Sequence, residues 1–146
     1  MNEDKIIKFY KLALFQADLF SKDPSKKVCA LFVAPKSYQL LSAGYNGLPR
    51  KIKETDERWD KPEKYNFIVH AEKNGIYNAC RNGVSLNGSI CIVTFFPCSE
   101  CARALIQVGV ETIVTPEPDF THPTYKDSFK YSLEMLNEVG INIKYI

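Results

Sequence analysis

The chain has 146 residues, 45% hydrophobic and 25% charged, with a net charge of +2, the profile of one soluble globular domain over residues 1–146 that can bury its own core. So small a net charge argues against a nucleic-acid partner held on a broad basic face and fits one local positive site. No run approaches the roughly 18 apolar residues a membrane span needs. The five cysteines, in a sequence that opens without an export signal, point to metal and core roles in the cytoplasm rather than to a disulfide framework.

Glu3 to Phe20 carries Ile6, Tyr10, Ala13, Ala17 and Phe20 at helical spacing. The helix stops at Ser21-Lys22-Asp23-Pro24-Ser25, where proline and turn-forming side chains cannot continue it. Val28 to Ala34 is short and continuously apolar, as a strand buried on both faces should be. Pro35 to Tyr38 turns the chain into a second strand, Gln39 to Tyr45, making an antiparallel hairpin. Asn46 to Asn66 reads as one long loop, of the length that in compact domains usually serves function, with Trp59 as its anchor on the core.

A helix is expected from Ala71 to Asn82, capped by Gly83. Ser89 to Phe96 is a further strand. Pro97 keeps Phe96 extended and suits the first turn of a helix from Cys98 to Val108, which Gly109 ends. Glu111 to Thr115 is a short strand, Asp127 to Val139 a last helix, and Ile141 to Tyr145 an alternating edge strand. Strand–helix–strand units late in the chain imply parallel neighbours crossed by helices, hence an α/β fold with a five-stranded mixed sheet and helices on both faces.

The chemistry concentrates in His70-Ala71-Glu72 and Pro97-Cys98-Ser99-Glu100-Cys101. One His and two Cys are three ligands for Zn²⁺, leaving a fourth position open, the pattern of a catalytic site. Water at such a position has its pKa lowered to about 7. Glu72 remains free as a proton carrier. His70 and Glu72, two apart, would diverge by roughly 200° on a regular helix. His70 therefore belongs at the helix entrance, outside the regular turn, with Glu72 in the first turn. Cys98 and Cys101, three apart, share one helix face. Both helix starts then bring positive dipole ends to the metal, where they favour thiolate. A structural zinc would need a fourth ligand, and His122, the only other histidine, lies in a Pro-rich loop poorly suited to supply it.

His-x-Glu with Pro-Cys-x-x-Cys is the signature shared by the zinc deaminases. The chain resembles the deoxycytidylate branch of the zinc-dependent cytidine deaminase superfamily in Ser21-Lys22-Asp23-Pro24-Ser25, Val28-Cys29-Ala30, the segment from Gly44 to Arg50, Lys64-Tyr65 and the two zinc segments. The resemblance implies a cytidine deaminase-like three-layer α-β-α fold and hydrolytic deamination of dCMP to dUMP and ammonia. His70, Cys98 and Cys101 would hold one zinc per chain, and Glu72 would carry protons to N3 and to the leaving amine. Ala71 would bind the ring carbonyl through its N–H, and Asn46 the sugar. Val28 is counted with the substrate contacts, as are Lys26, Lys27 and Arg50 at the phosphate and Tyr125 as a closing side chain. The resemblance also implies dCTP and dTTP as effectors and a homo-oligomer, a hexamer or a smaller even assembly.

Two residues depart from the family pattern. Cys29 stands where Gly is usual, beside the expected base pocket, where it would narrow it, and Gly75 stands where Ala is usual. The alternatives left open by the residues are a deaminase of another cytosine nucleotide or nucleoside or of a tRNA base and, outside enzymes, a zinc-stabilised binding module. The free Glu72 argues against the last.

Overall fold

The computed structural model describes residues 1–146. The first helix, α1 (Glu3–Phe20), is capped by Asn2, whose side chain accepts the Lys5 N–H at 3.1 Å. Its buried Ile6, Ala13 and Ala17 pack on one face of the sheet against Leu31, Val33, Ile92 and Val114. Strand β1 (Cys29–Val33) is buried along its whole length, because helices cover it on both sides. It pairs antiparallel with β2 (Leu40–Tyr45) and with β3 (Ile90–Val93). β4 (Thr112–Thr115) and β5 (Asn142–Tyr145) add parallel to β3, so the five-stranded order is β2-β1-β3-β4-β5. The opposite face carries α3 (Ala71–Arg81), α4 (Ser99–Gln107) and α5 (Lys126–Glu138), packed through Ala79, Leu105, Phe129 and Leu136. This is the expected mixed sheet between helices.

The long segment after β2 is not one loop. It holds a 3₁₀ turn at Asp56–Arg58, with half-buried Trp59 closing it, and a short helix α2 (Lys64–Phe67). Sequence periodicity missed both because neither is long enough to show a repeat. The expected strand Ser89 to Phe96 pairs only over Ile90–Val93, since the following residues leave the sheet to reach α4. Gly83 and Gly109 end α3 and α4 with φ of 66° and 77°, the left-handed conformation that glycine adopts without penalty.

What matters for function is how α3 docks on β2. β2 is an edge strand, and its outward carbonyls need partners. Asn78 donates to the Ala43 carbonyl at 2.7 Å and Asn74 to the Tyr45 carbonyl at 2.8 Å, while the Ser42 hydroxyl donates to the Gly75 carbonyl at 2.6 Å. The approach is possible only because Gly44 faces α3. A Cβ on Gly44 would lie 2.2 Å from the Gly75 nitrogen and 2.3 Å from the Ala71 carbonyl oxygen. A Cβ on Gly75 would lie 2.4 Å from the Phe32 ring, so the departure from Ala at position 75 makes room for that large buried side chain.

Gly75→Ala is expected to destabilise the protein by about 1–3 kcal/mol, the usual range for overpacking, and Phe32→Leu is expected to recover part of that loss in the double variant. Gly44→Ala meets backbone and cannot be relieved by a side chain, so it should lose both stability and activity. Urea unfolding of the four proteins measures this.

Candidate active site

α3 and α4 begin beside one another, each from an extended residue. His70 is the residue before α3 (φ −67°, ψ 155°) and Cys98 the residue before α4 (φ −69°, ψ 167°), and neither side chain caps its helix. Both are thereby left free for the site. His70 is held there by a backbone exchange just before it, in which Gly47 and Val69 trade N–H···O bonds of 3.1 and 2.8 Å. Cys98 thus lies just outside the helix expected to contain it, and Cys101 sits in its first turn. His70 Nδ1 lies 3.4 Å from the sulfur of Cys98 and 3.4 Å from that of Cys101. The three donor atoms all fall within 4.8 Å of one another.

This donor set fits zinc. Tetrahedral coordination with Zn–S near 2.3 Å and Zn–N near 2.0–2.1 Å requires an N···S separation of about 3.6 Å, close to the 3.4 Å seen on both sides of His70. The charges fit as well. The Cys101 thiol, hydrogen-bonded to Cys98, and the His70 ring beside it draw Cys98 down to about 4. Cys101, facing that thiolate in a buried position, is pushed up. His70 is raised, chiefly by its contact with Cys98. Glu72 is 4% exposed. Burial, reinforced by the negative charge at Cys98, pushes its carboxyl up to about 7, where it can both take and give a proton.

His70, Glu72 and Cys98 line a cavity of about 380 Å³, within the range of small-molecule sites. Ala71, at the first turn of α3, presents an N–H that has no acceptor within the helix. Phe95, Phe96, Val28 and Tyr125 supply apolar surface. Tyr125 meets His70 edge-on with ring centres 6.4 Å apart, and burial raises its hydroxyl to about 12. Lys26 reaches the cavity with its ammonium 5.1 Å above the Phe95 ring.

The cavity brings together eight of the eleven residues expected at the site. Cys101 is not on its wall but completes the donor set behind it. Two are placed elsewhere. Lys27 pairs with Asp18 at 3.3 Å and with the Asp18 carbonyl at 2.9 Å, and Arg50 contacts Asn78 of α3. Local sequence could not exclude them, because which lysine of a loop turns inward depends on partners elsewhere. Cys29 also corrects an expectation. It is fully buried in the layer between α1 and the sheet and takes no part in the cavity wall, because alternation along β1 sends neighbours to opposite faces. Asn46 reaches the wall, yet its amide is already engaged. Its oxygen accepts from the Ser21 hydroxyl at 2.6 Å and the Val28 N–H at 2.8 Å, and its nitrogen donates to Asp23 at 3.1 Å and the Lys26 carbonyl at 2.8 Å.

The sequence reading missed Lys61, Lys64, Tyr65 and His122 on the wall. His122 Nδ1 accepts the N–H groups of Thr124 and Tyr125 at 3.1 and 3.2 Å, so Nε2 carries the proton and the ring offers a donor. Lys64-Tyr65 belongs to a segment singled out for its resemblance, which was the available signal. Nothing local marked Lys61 or His122.

A family model described as the cytidine and deoxycytidylate deaminase zinc-binding region matches residues 3–117. The chain belongs to that family. A probable deoxycytidylate deaminase of Drosophila melanogaster is 34% identical over 135 residues, covering 85% of this chain and 64% of that protein. The human deoxycytidylate deaminase is 30% identical over 144 residues, covering 93% and 76%. The chain thus spans about two thirds to three quarters of the length of these relatives. The dCMP deaminase of the cyanophage S-TIM5, in its complex with dCMP and dUMP, superposes with a TM-score of 0.80 at 23% identity over 100% of this chain and 99% of that one, which shows the shared fold. His122 and Tyr125 lie beyond the matched family segment.

Purified protein is expected to carry one zinc per chain by elemental analysis. Cys101→Ser and His70→Ala should each reduce that content severalfold, because each removes one of three donors.

Proposed function

We propose that the chain is a zinc-dependent deaminase that hydrolyses dCMP to dUMP and ammonia. The observation that carries this reading is the buried Glu72 beside the His70, Cys98 and Cys101 donor set at a nucleotide-sized cavity. Family membership and deoxycytidylate deaminase relatives support it.

When bound, zinc supplies the Lewis acidity that brings a water molecule's pKa toward neutrality. The side chains do the rest. The Ala71 N–H donates to the ring carbonyl, and Phe95, Phe96 and Tyr125 flank the base and exclude water. Glu72, with a carboxyl held near 7, takes a proton from the attacking water and delivers it to N3. As the C4–N bond breaks and the C4–O bond remains, Glu72 passes the second proton to the departing amine. The balance is dCMP plus water to dUMP plus ammonia. Lys26 and the His122 donor, both against the Phe95 ring, with Lys61 also on the wall, are the groups suited to the 5′-phosphate.

An even-numbered homo-oligomer is part of this reading, supported by the exposed Leu14, Phe15 and Leu19 on α1. Control by dCTP and dTTP rests on the resemblance of the Gly44 to Arg50 segment. No helix is long and apolar enough to cross a membrane, and five free cysteines fit a reducing cytoplasm.

A deamination assay with dCMP, CMP, deoxycytidine and dCTP at equal concentration should rank dCMP first, and faster turnover of deoxycytidine would remove the phosphate assignment. Glu72→Ala should retain zinc and lose about 10²–10⁴-fold in kcat, the contribution usual for a positioned acid–base group. Loss of zinc with unfolding would instead mark a structural metal.

A further inference from the structure

The cavity wall contains an ion pair that the proposed chemistry does not use. Lys64 and Asp23 lie 41 residues apart in sequence, and their contacts of 2.8 and 2.7 Å engage both carboxylate oxygens. The side chains retain 7% and 1% of their accessibility. Asp23 also accepts the N–H groups of Ser25 and Lys26 at 2.8 and 3.2 Å and the Asn46 amide at 3.1 Å. Asn46 in turn takes the Val28 N–H and the Ser21 hydroxyl. One connected network therefore joins the segment after α1, the end of β2 and the start of α2. The wall residues Lys26, Val28 and Tyr65 hang from it.

Two conclusions follow from the valences. Asn46 has used both oxygen lone pairs and both amide hydrogens on protein partners, so it has none free for a sugar hydroxyl. The charge of Lys64 is neutralised by a buried carboxylate, so the ammonium adds little field for a phosphate beyond what Lys26 and Lys61 supply.

We propose that the Asp23–Lys64 pair, acting through Asn46, is a positioning device that sets the shape of the substrate cavity, and that Lys64 is not a phosphate ligand. The proposal rests on the deaminase reading for its kinetic test only. Removing one partner of a buried pair strands the other charge, whereas removing both does not, and this asymmetry makes the idea testable. Neither residue contacts Glu72 or the zinc donors, so loss of the pair acts on substrate capture before chemistry.

The experiment compares Lys64→Met with the double variant Asp23→Asn/Lys64→Met. It reads KM and kcat for dCMP and for deoxycytidine, and hydrogen exchange at the Ser25, Lys26 and Val28 amides. Lys64→Met is expected to raise KM at least about tenfold for both substrates, with kcat within about threefold. The three amides should exchange at least about tenfold faster while β3 amides keep their protection. The double variant should return toward wild type in both readouts, short of complete recovery because Asn at position 23 offers a donor where Asn46 needs an acceptor. If Lys64→Met does not fold, Asp23→Asn alone, which leaves the buried Lys64 charge without its partner, carries the same expected changes. A loss confined to dCMP, with deoxycytidine and the amides unaffected, would mean direct phosphate contact and overturn the proposal, as would a lower melting temperature with unchanged KM. If wild-type protein deaminates neither substrate, the deaminase reading fails, and the exchange data still decide the role of the pair.

Discussion

The close approach of α3 to β2 is the constraint on which the site depends. α3 carries His70 at its entrance and Glu72 in its first turn, and its position is set before any metal or substrate is considered. An edge strand with unpaired carbonyls meets a helix presenting Asn74 and Asn78 one turn apart, and the absence of a side chain at Gly44 lets the backbones meet. Two residues along a strand and four along a helix rise by similar distances, so alternate carbonyls can be served by side chains four apart. The same contact fixes the helix whose first turn carries the buried Glu72 and lines the cavity. Stability and catalytic geometry therefore share one interface.

Charge at the site follows from that burial. Two helix entrances converge on a space holding three metal donors and a carboxyl, and their free N–H groups favour negative charge there. A thiolate at Cys98 is stabilised by its neighbours, while Glu72, desolvated and facing that thiolate, is pushed toward neutrality. Proximity thus drives two acidic groups apart, one toward holding charge and one toward neutrality. A fully solvated Glu72 would remain ionised at neutral pH and return a proton poorly.

The four long helices, all five strands and the metal donors were legible because each has a local cause. Apolar spacing marked α1, Gly83 and Gly109 stopped α3 and α4, and the divergence of positions two apart on a helix placed His70 outside the regular turn, where it is found. The short α2 and the 3₁₀ turn were not legible, since a single turn leaves no periodic trace. The cationic end of the cavity was legible only in part. Lys26 and Lys27 are neighbours in sequence, yet one lies over Phe95 at the cavity and the other is held by Asp18. Cys29 looked like a pocket residue from its neighbours and is instead packed beneath α1.

By itself, the sequence determined the identity of the metal donors, the free acid beside them and the order of elements that delivers both to helix entrances. These depend on residue type and on spacing within a few positions. The tertiary structure alone decided which cations reach the cavity, that the Asn46 amide is consumed within the protein, and that Asp23 and Lys64 meet at all. Those outcomes depend on contacts between residues far apart in sequence, 41 positions for Asp23 and Lys64, and no local pattern encodes which of several equivalent side chains will find a partner after the sheet has closed.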